Sequence, residues 1–181
     1  MELDLEHDDA GCGMEAPRGE PCYARPMSAR YHFWRRWLLV ASVLFGLQAV
    51  GWAVLGRFDP LGVYDGYAAR SLFGSEALPP DAERFQSFIL GPFGATTAGY
   101  FILVFYMAKI PLARREAWAL WAVTAAVLFW FALDTALSAF QGAWFNVVIV
   151  NLPCLAVLGP ALWGLHAARG ESAESAAGSS S

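Results

Sequence analysis

Asp134 is the residue whose chemistry most needs explaining, because it is the only formal charge in the 52 residues from Ala117 to Ala168. A carboxylate near a bilayer centre costs roughly 2.5 to 3.5 kcal/mol on insertion scales; Asp134, about one to two turns below the outer end of its span, costs less. Ser138 and Gln141 follow it at i+4 and i+7 and share its helical face. If the chain turns back about Gln141, Asn146 arrives level with Asp134. One reading is architectural, a set of hydrogen bonds across a hairpin averaging roughly 0.6 kcal/mol per pair inside membranes. The other is a polar pocket with Asp134 as its deepest ionisable group. Matching depths along the remaining apolar segments adds Thr96, Thr97, Gln48 and Asn151, so the candidate ligand-binding set is Asp134, Ser138, Asn146, Asn151, Thr96, Thr97 and Gln48. Arg57, Arg70 or Arg84 is the expected countercharge. Asn146 and Asn151 lie about 140° apart on an ideal helix, which a straight span cannot turn toward one partner. Pro153 removes a backbone bond to residue 149, and the expected kink offers a way to bring Asn151 inward.

Other chemistries are poorly supplied. His7, His32 and His166 fall outside or at the edge of the apolar segments, so a bis-histidine haem or a carboxylate-bridged di-iron centre cannot be assembled. Cys12, Cys22 and Cys154 form no CxxC pair, which disfavours thiol redox chemistry of the vitamin K epoxide reductase kind, and no periplasmic disulfide fits. No glycine-rich phosphate loop, nucleophile elbow or zinc-ligand spacing occurs. No catalytic residue, cofactor or metal is therefore assigned. The net charge of −4 leaves no basic face for nucleic acid.

The elements that must position these residues follow from solvent. The chain has 181 residues, of which 57% are hydrophobic and only 15% charged, too little polar surface to cover a water-soluble globule. Formal charge is absent from Trp37 to Gly56, Phe85 to Ala108, Ala117 to Leu133 and Thr135 to Ala168. About 20 apolar residues span a bilayer as a helix, and the turn-like run from Ser138 to Gly142 divides the last two stretches. The expected fold is an all-α four-helix transmembrane bundle within residues 31–168, with spans near 36–56, 89–108, 117–139 and 143–165. Residues 1–30, acidic and punctuated by glycine and proline, and 169–181, rich in Gly, Ser, Ala and Glu, are expected to be disordered tails.

Eight basic residues (Arg25, Arg30, Arg35, Arg36, Lys109, Arg114, Arg115 and Arg169) flank one side, against three (Arg57, Arg70 and Arg84) on the other. That bias places both termini in the cytoplasm, as a multi-pass protein of the plasma membrane. Trp34, Trp37, Trp118, Trp121 and Trp163 then sit near the inner interface, Trp52 and Trp144 near the outer. Arg35-Arg36 resembles part of a twin-arginine signal, but the apolar run after it is long enough to anchor rather than be cleaved. Ala10-Gly11-Cys12 resembles the end of a lipoprotein signal, but Glu6, His7, Asp8 and Asp9 stand where that signal needs an apolar segment, which disfavours lipidation.

The long outer loop, from Arg57 to Phe88, opens with a turn at Asp59-Pro60-Leu61-Gly62. Tyr64, Tyr67, Ala68, Ser71 and Leu72 recur at spacings that predict a short interfacial helix, which serves either as an anchored surface loop or as a lid over the outer mouth. Pro80 with Asp81 and Glu83 predicts the start of the second helix, bent at Gly91-Pro92. Gly91, Ala95 and Gly99, with Gly94 and Ala98 on the adjacent row, predict close helix approach, matched by Ser42 and Gly46 on the first span.

The runs from Gly91 to Gly99, Pro111 to Trp118 and Trp130 through Asp134, Ser138 and Gly142 to Asn146 resemble small four-span bacterial membrane proteins with no assigned activity. The resemblance covers roughly 57–162 and implies a four-helix membrane fold but no functional residues. Eleven arginines to one lysine also point to a GC-rich bacterial genome. Three function classes follow. A non-enzymatic accessory or ligand-binding membrane subunit fits a compact bundle without catalytic groups best. A proton- or ion-coupled small-solute carrier would use Asp134. A membrane enzyme acting on a lipid or isoprenoid would use the lone carboxylate with its Ser and Asn neighbours for acid–base chemistry, although sterol-isomerase-like bundles use more ionisable groups. The expected partners are the lipid bilayer and a second copy or another membrane protein.

Overall fold

A computed structural model describes residues 28–56, 59 and 61–177, with only the backbone described for 171–177. The N-terminal segment with Arg25, Cys12 and Cys22, and Arg57 in the first loop, lie outside the described residues. Every regular element among the described residues is helical. Helix α1 runs Ala29–Leu55, α2 Val63–Ala68, α3 Pro80–Lys109, α4 Ala117–Phe140, α5 Trp144–Asn146 and α6 Leu152–Ala177, with π-helical turns at Ala69–Phe73 and Val147–Asn151.

Local sequence sets the boundaries. The Ser28 hydroxyl caps α1 by accepting from the Tyr31 N–H at 3.2 Å. Gly56, at φ 62°, ends that helix in the left-handed region, where its N–H bonds to Trp52 O. Pro80 begins α3 with Asp81 and Glu83 in its first turn and Lys109 in its last, the arrangement the helix dipole favours. The α3 helix is continuous through Gly91-Pro92. Gly142, at φ 74°, makes the tight reversal between α4 and α5, closed by Ala143 N–H to Ser138 O at 2.8 Å. Helix α6 is longer than the expected fourth span and remains helical to Ala177. Residues 169–177, part of the segment read as a tail, carry alanines and glutamates, both good helix formers.

Four helical segments, Ala29–Leu55, Pro80–Lys109, Ala117–Phe140 and Trp144–Gly170, are long and apolar enough to cross a membrane. Only 17 to 28% of the most apolar window in each is buried in the bundle, so most of that apolar surface faces outward. Val54, Phe129, Phe140 and Trp163 are at least 70% exposed. In water such a surface would be untenable; against lipid tails it is matched. The chain is a multi-pass, all-α membrane protein.

The bundle is packed unevenly. Helix α1 lies along α3 for most of its length and also meets α6, while α3 barely touches α4. Gly94, Ala98, Phe101, Val104 and Ala108 form the buried stripe of α3. Of the two small-residue rows on that helix, the inner one is therefore Gly94–Ala98, and Ala95 and Gly99 point away from the bundle. A side chain at Gly94 would strike the α1 backbone, and Gly46 of α1 faces Phe101. Toward the end carrying the α1 N-terminus and the α3–α4 connection, the tail end, Tyr31, Leu38, Leu112, Leu120 and Leu165 are fully buried. There Tyr31 OH donates to Leu112 O at 2.8 Å and Trp37 Nε1 to Val157 O at 2.9 Å. The opposite end, bearing the 56–79 connection and the α4–α5 turn, is the loop end. It is hollow.

Candidate functional site

The α4–α5 hairpin is the foundation of the site. Its tight turn sets the start of the returning chain beside the last two turns of α4, where Asn146 Nδ2 donates to Asp134 Oδ2 at 3.0 Å and to Ser138 Oγ at 2.9 Å. One amide thus ties two side chains a helical turn apart on α4. Asn151 reaches the same helix, its Nδ2 donating to Thr135 Oγ1 at 3.0 Å. The π-helical turn explains how both asparagines face α4. Leu152 N–H bonds to Val147 O, five residues back, just before Pro153, which has no N–H to give. A π turn absorbs one extra residue, about 100° of rotation, and so reduces the ideal 140° between Asn146 and Asn151 to roughly 40°. The turning that the sequence reading gave to a kink at Pro153 comes instead from this change of helical register.

The loop connecting α1 to α3 folds over this hairpin. Asp59 accepts from the N–H groups of Val63 and Asp65 at 3.1 and 2.9 Å, holding the start of α2. Tyr64 on α2 packs its ring edge-on to Phe145, centroids 5.1 Å apart, and its hydroxyl makes a long 3.5 Å bond to Asn146 Oδ1. Burial, and then the carboxylates of Asp134 and Asp65, push the Tyr64 phenol above its ordinary value. Gln86 on α3 donates to Asp65 Oδ1 at 2.9 Å, and Ser71 Oγ donates to Gly142 O at 3.3 Å. The expected short helix is therefore present and packs on the hairpin rather than standing apart from it.

Between these elements lies a cavity of about 640 Å³, lined by Asp134, Ser138, Asn146, Gln141, Tyr64, Asp65, Gln86 and Asp59, with Gln48, Trp52 and Trp130 at its deeper side. A second cavity of about 420 Å³ lies deeper in the bundle, walled by α3 residues Thr96, Thr97, Tyr100 and Phe101, by Val127 and Trp130 of α4, and by Pro153 and Cys154 of α6. Both volumes fall in the range of about 300 to 1,000 Å³ typical of small-molecule sites. The structure divides the candidate residues accordingly. Asp134, Ser138 and Asn146 line the loop-end cavity; Thr96 and Thr97 line the inner one; Gln48 lines both. Asn151 is completely buried in the α4–α6 contact and lines neither, and its Oδ1 has no partner among the described residues.

Asp134 is half-buried, and among the described residues no cation pairs with it. Arg70, one of the expected countercharges, instead bonds its own helix through Gly66 O at 3.1 Å and lies over the Tyr67 ring. Tyr64, Asp59, Asp65, Gln86 and Gln141 are site residues that depth matching missed. They come from a loop, from the α3 turn preceding the expected second span and from the hairpin tip. The i+7 spacing from Asp134 pointed to Gln141, and the turn motif at Asp59 and the tyrosine spacing carried a hint of the loop residues. Among the described residues no three His, Cys, Asp or Glu side chains converge to hold a metal ion. Comparison with known proteins gives no match: no family model, curated sequence or solved structure is similar to this chain.

Proposed function

We propose that this chain is a ligand-binding protein of the cytoplasmic membrane, holding a small molecule in the loop-end cavity with Asp134 as the anchoring acceptor and performing no chemistry on it. The observation that carries the reading is a carboxylate in a 640 Å³ cavity, held by one neutral amide and lacking a cation partner among the described residues. Burying a charge without compensation is costly, and a bound donor supplies the missing partner. The basic residues at the tail end put that end in the cytoplasm, so the cavity opens outward.

The geometry favours binding over catalysis. Ser138 Oγ accepts from Asn146, with no histidine or lysine lining the cavity to activate it. Asp134 has an amide beside it, where an acid–base pair would place a second ionisable group. A proton-coupled carrier is the second reading, favoured by the position of this one ionisable side chain near the loop end of a membrane-spanning helix. Passage would require the tail end to open, where Tyr31, Leu38, Leu112 and Leu165 are at most 1% exposed.

Native mass spectrometry of the protein, extracted gently from its host membrane, tests the proposal. The wild type is expected to carry a small molecule that Asp134→Asn loses while remaining folded. A wild type with nothing bound, or equal retention by the variant, overturns the anchoring role. A co-purifying protein in addition would identify the chain as a subunit, and Asp134-dependent, proton-coupled uptake into proteoliposomes would make it a carrier.

A further inference from the structure

Six side chains, Gln48, Trp52, Phe93, Trp130, Ile149 and Val150, line both cavities and form a waist between them. The two sides of that waist differ in chemistry. Above it stand the carboxylates of Asp134 and Asp65 and the amides of Asn146 and Gln86, and among the described residues no Lys, Arg or His lines the space. Below it the wall is aromatic and aliphatic, relieved by little more than two threonines and a tyrosine hydroxyl. We infer that the two cavities form one site for a cationic amphiphile, its protonated amine beside Asp134 and its apolar tail through the waist into the inner cavity. The inference rests on the ligand-binding reading above and names the class of ligand.

Three observations select this class. Asp134 receives one hydrogen bond, from a neutral amide, and a carboxylate so placed is completed by an ammonium donor more strongly than by a neutral one. The waist carries Trp52, Phe93 and Trp130, the rings of Trp52 and Phe93 tilted by 31° with centroids 5.8 Å apart; aromatic faces attract an organic cation and tolerate a chain, whereas an anion is repelled by both waist and carboxylates. The absence of a three-ligand metal cluster among the described residues argues for an organic rather than a metallic cation. A route exists for the tail as well. Helices α3 and α4 scarcely touch, and Thr96, Tyr100 and Trp130 stand on either side of that thin seam. An amphiphile dissolved in the bilayer therefore meets the inner cavity from the side.

The test is isothermal titration calorimetry of the full chain in a non-ionic detergent, with dodecylammonium, dodecanol, dodecyl phosphate and propylammonium as probes. Two variants separate the halves of the site. Asp134→Asn removes the charge at nearly constant shape, and Thr97→Phe fills the inner cavity; Cys154→Phe, on the α6 wall, replaces the latter if it does not fold. One dodecylammonium is expected per chain, bound at least tenfold more tightly than dodecanol. Asp134→Asn should erase that preference. Thr97→Phe should weaken dodecylammonium at least tenfold and leave propylammonium unchanged. Asp134-dependent binding that is the same for both amines and insensitive to Thr97→Phe would overturn the two-cavity inference while leaving the loop-end site standing. Dodecanol or dodecyl phosphate binding as well as the amine would overturn the cationic head. No Asp134-dependent binding of any probe would overturn both the inference and its use of the loop-end cavity.

Discussion

Replacing Gly94 by alanine tests the packing on which the site depends. A Cβ built there would lie 2.5 Å from both Ala49 O and Ala53 N and 3.0 Å from Trp52 Cβ. The first two are backbone atoms of a continuous helix, so they cannot swing aside as a side-chain tip would. Favourable non-bonded contacts lie near 3.5 to 4.0 Å, so α1 and α3 must separate locally by roughly 1 Å. Overpacking of this kind costs about 1 to 3 kcal/mol. The matched control is in the same helix: a Cβ at Gly99 meets nothing within 4 Å, and Gly99→Ala should be neutral or stabilising by up to about 1 kcal/mol through helix propensity. Reversible unfolding in mixed micelles, followed by far-UV circular dichroism, gives both differences on one scale. Because Trp52 lines both cavities, Gly94→Ala should also weaken ligand binding, which Gly99→Ala should not. Equal stability of the two variants would refute the α1–α3 contact as described.

Gly164 offers a second packing test: an added Cβ would fall on the Trp34 indole, and Gly164→Ala should cost about 1 to 3 kcal/mol in the same unfolding assay. Tyr31→Phe removes the buried bond to Leu112 O; that carbonyl keeps the Arg115 N–H at 3.2 Å, so the loss should be one net hydrogen bond, about 0.5 to 1.5 kcal/mol. Tyr64 should ionise later than an exposed tyrosine, since burial and then Asp134 and Asp65 favour its neutral form. Its contribution to stability is then complete below the unfolded value near 10 and declines as pH rises through the higher folded value. Alkaline absorbance titration against Tyr64→Phe isolates this phenol; Asp134→Asn should lower its midpoint only part of the way, because burial remains, and an unmoved midpoint would contradict the proximity of the two groups.

The four spans were legible because a charge-free run of bilayer length has few alternatives in a folded chain. The helix ends were less so. Residues 29–35, 80–88 and 166–177 extend beyond the expected spans, where polar side chains such as Asp81, Glu83 and Arg84 mark a change of solvent without marking a change of backbone. The Asp134–Asn146 pairing could be read from Gln141-Gly142, since a tight turn makes depth a matter of counting. Asn151 could not be placed that way: a π turn shifts rotational phase without a clear sequence signature, and Pro153 marks only its neighbourhood. The loop contributions of Asp59, Tyr64 and Asp65 were hidden for a different reason. They join Asp134 in lining the cavity because a connection folds back over the bundle, and helical periodicity says nothing about where a connection lies.

The proposed site depends on a polar cavity that is open at the loop end and reaches Asp134. It is tested most directly by Ser138→Cys in a chain with Cys12, Cys22 and Cys154 replaced by serine. Ser138 is 8% exposed yet lines the cavity, so a membrane-impermeant cationic thiol reagent reaches it only through that opening. Labelling in intact cells is predicted, with Ser42→Cys, 2% exposed and lining neither cavity, left unmodified. Labelling of position 138 only after the membrane is permeabilised, or not at all, would contradict the account.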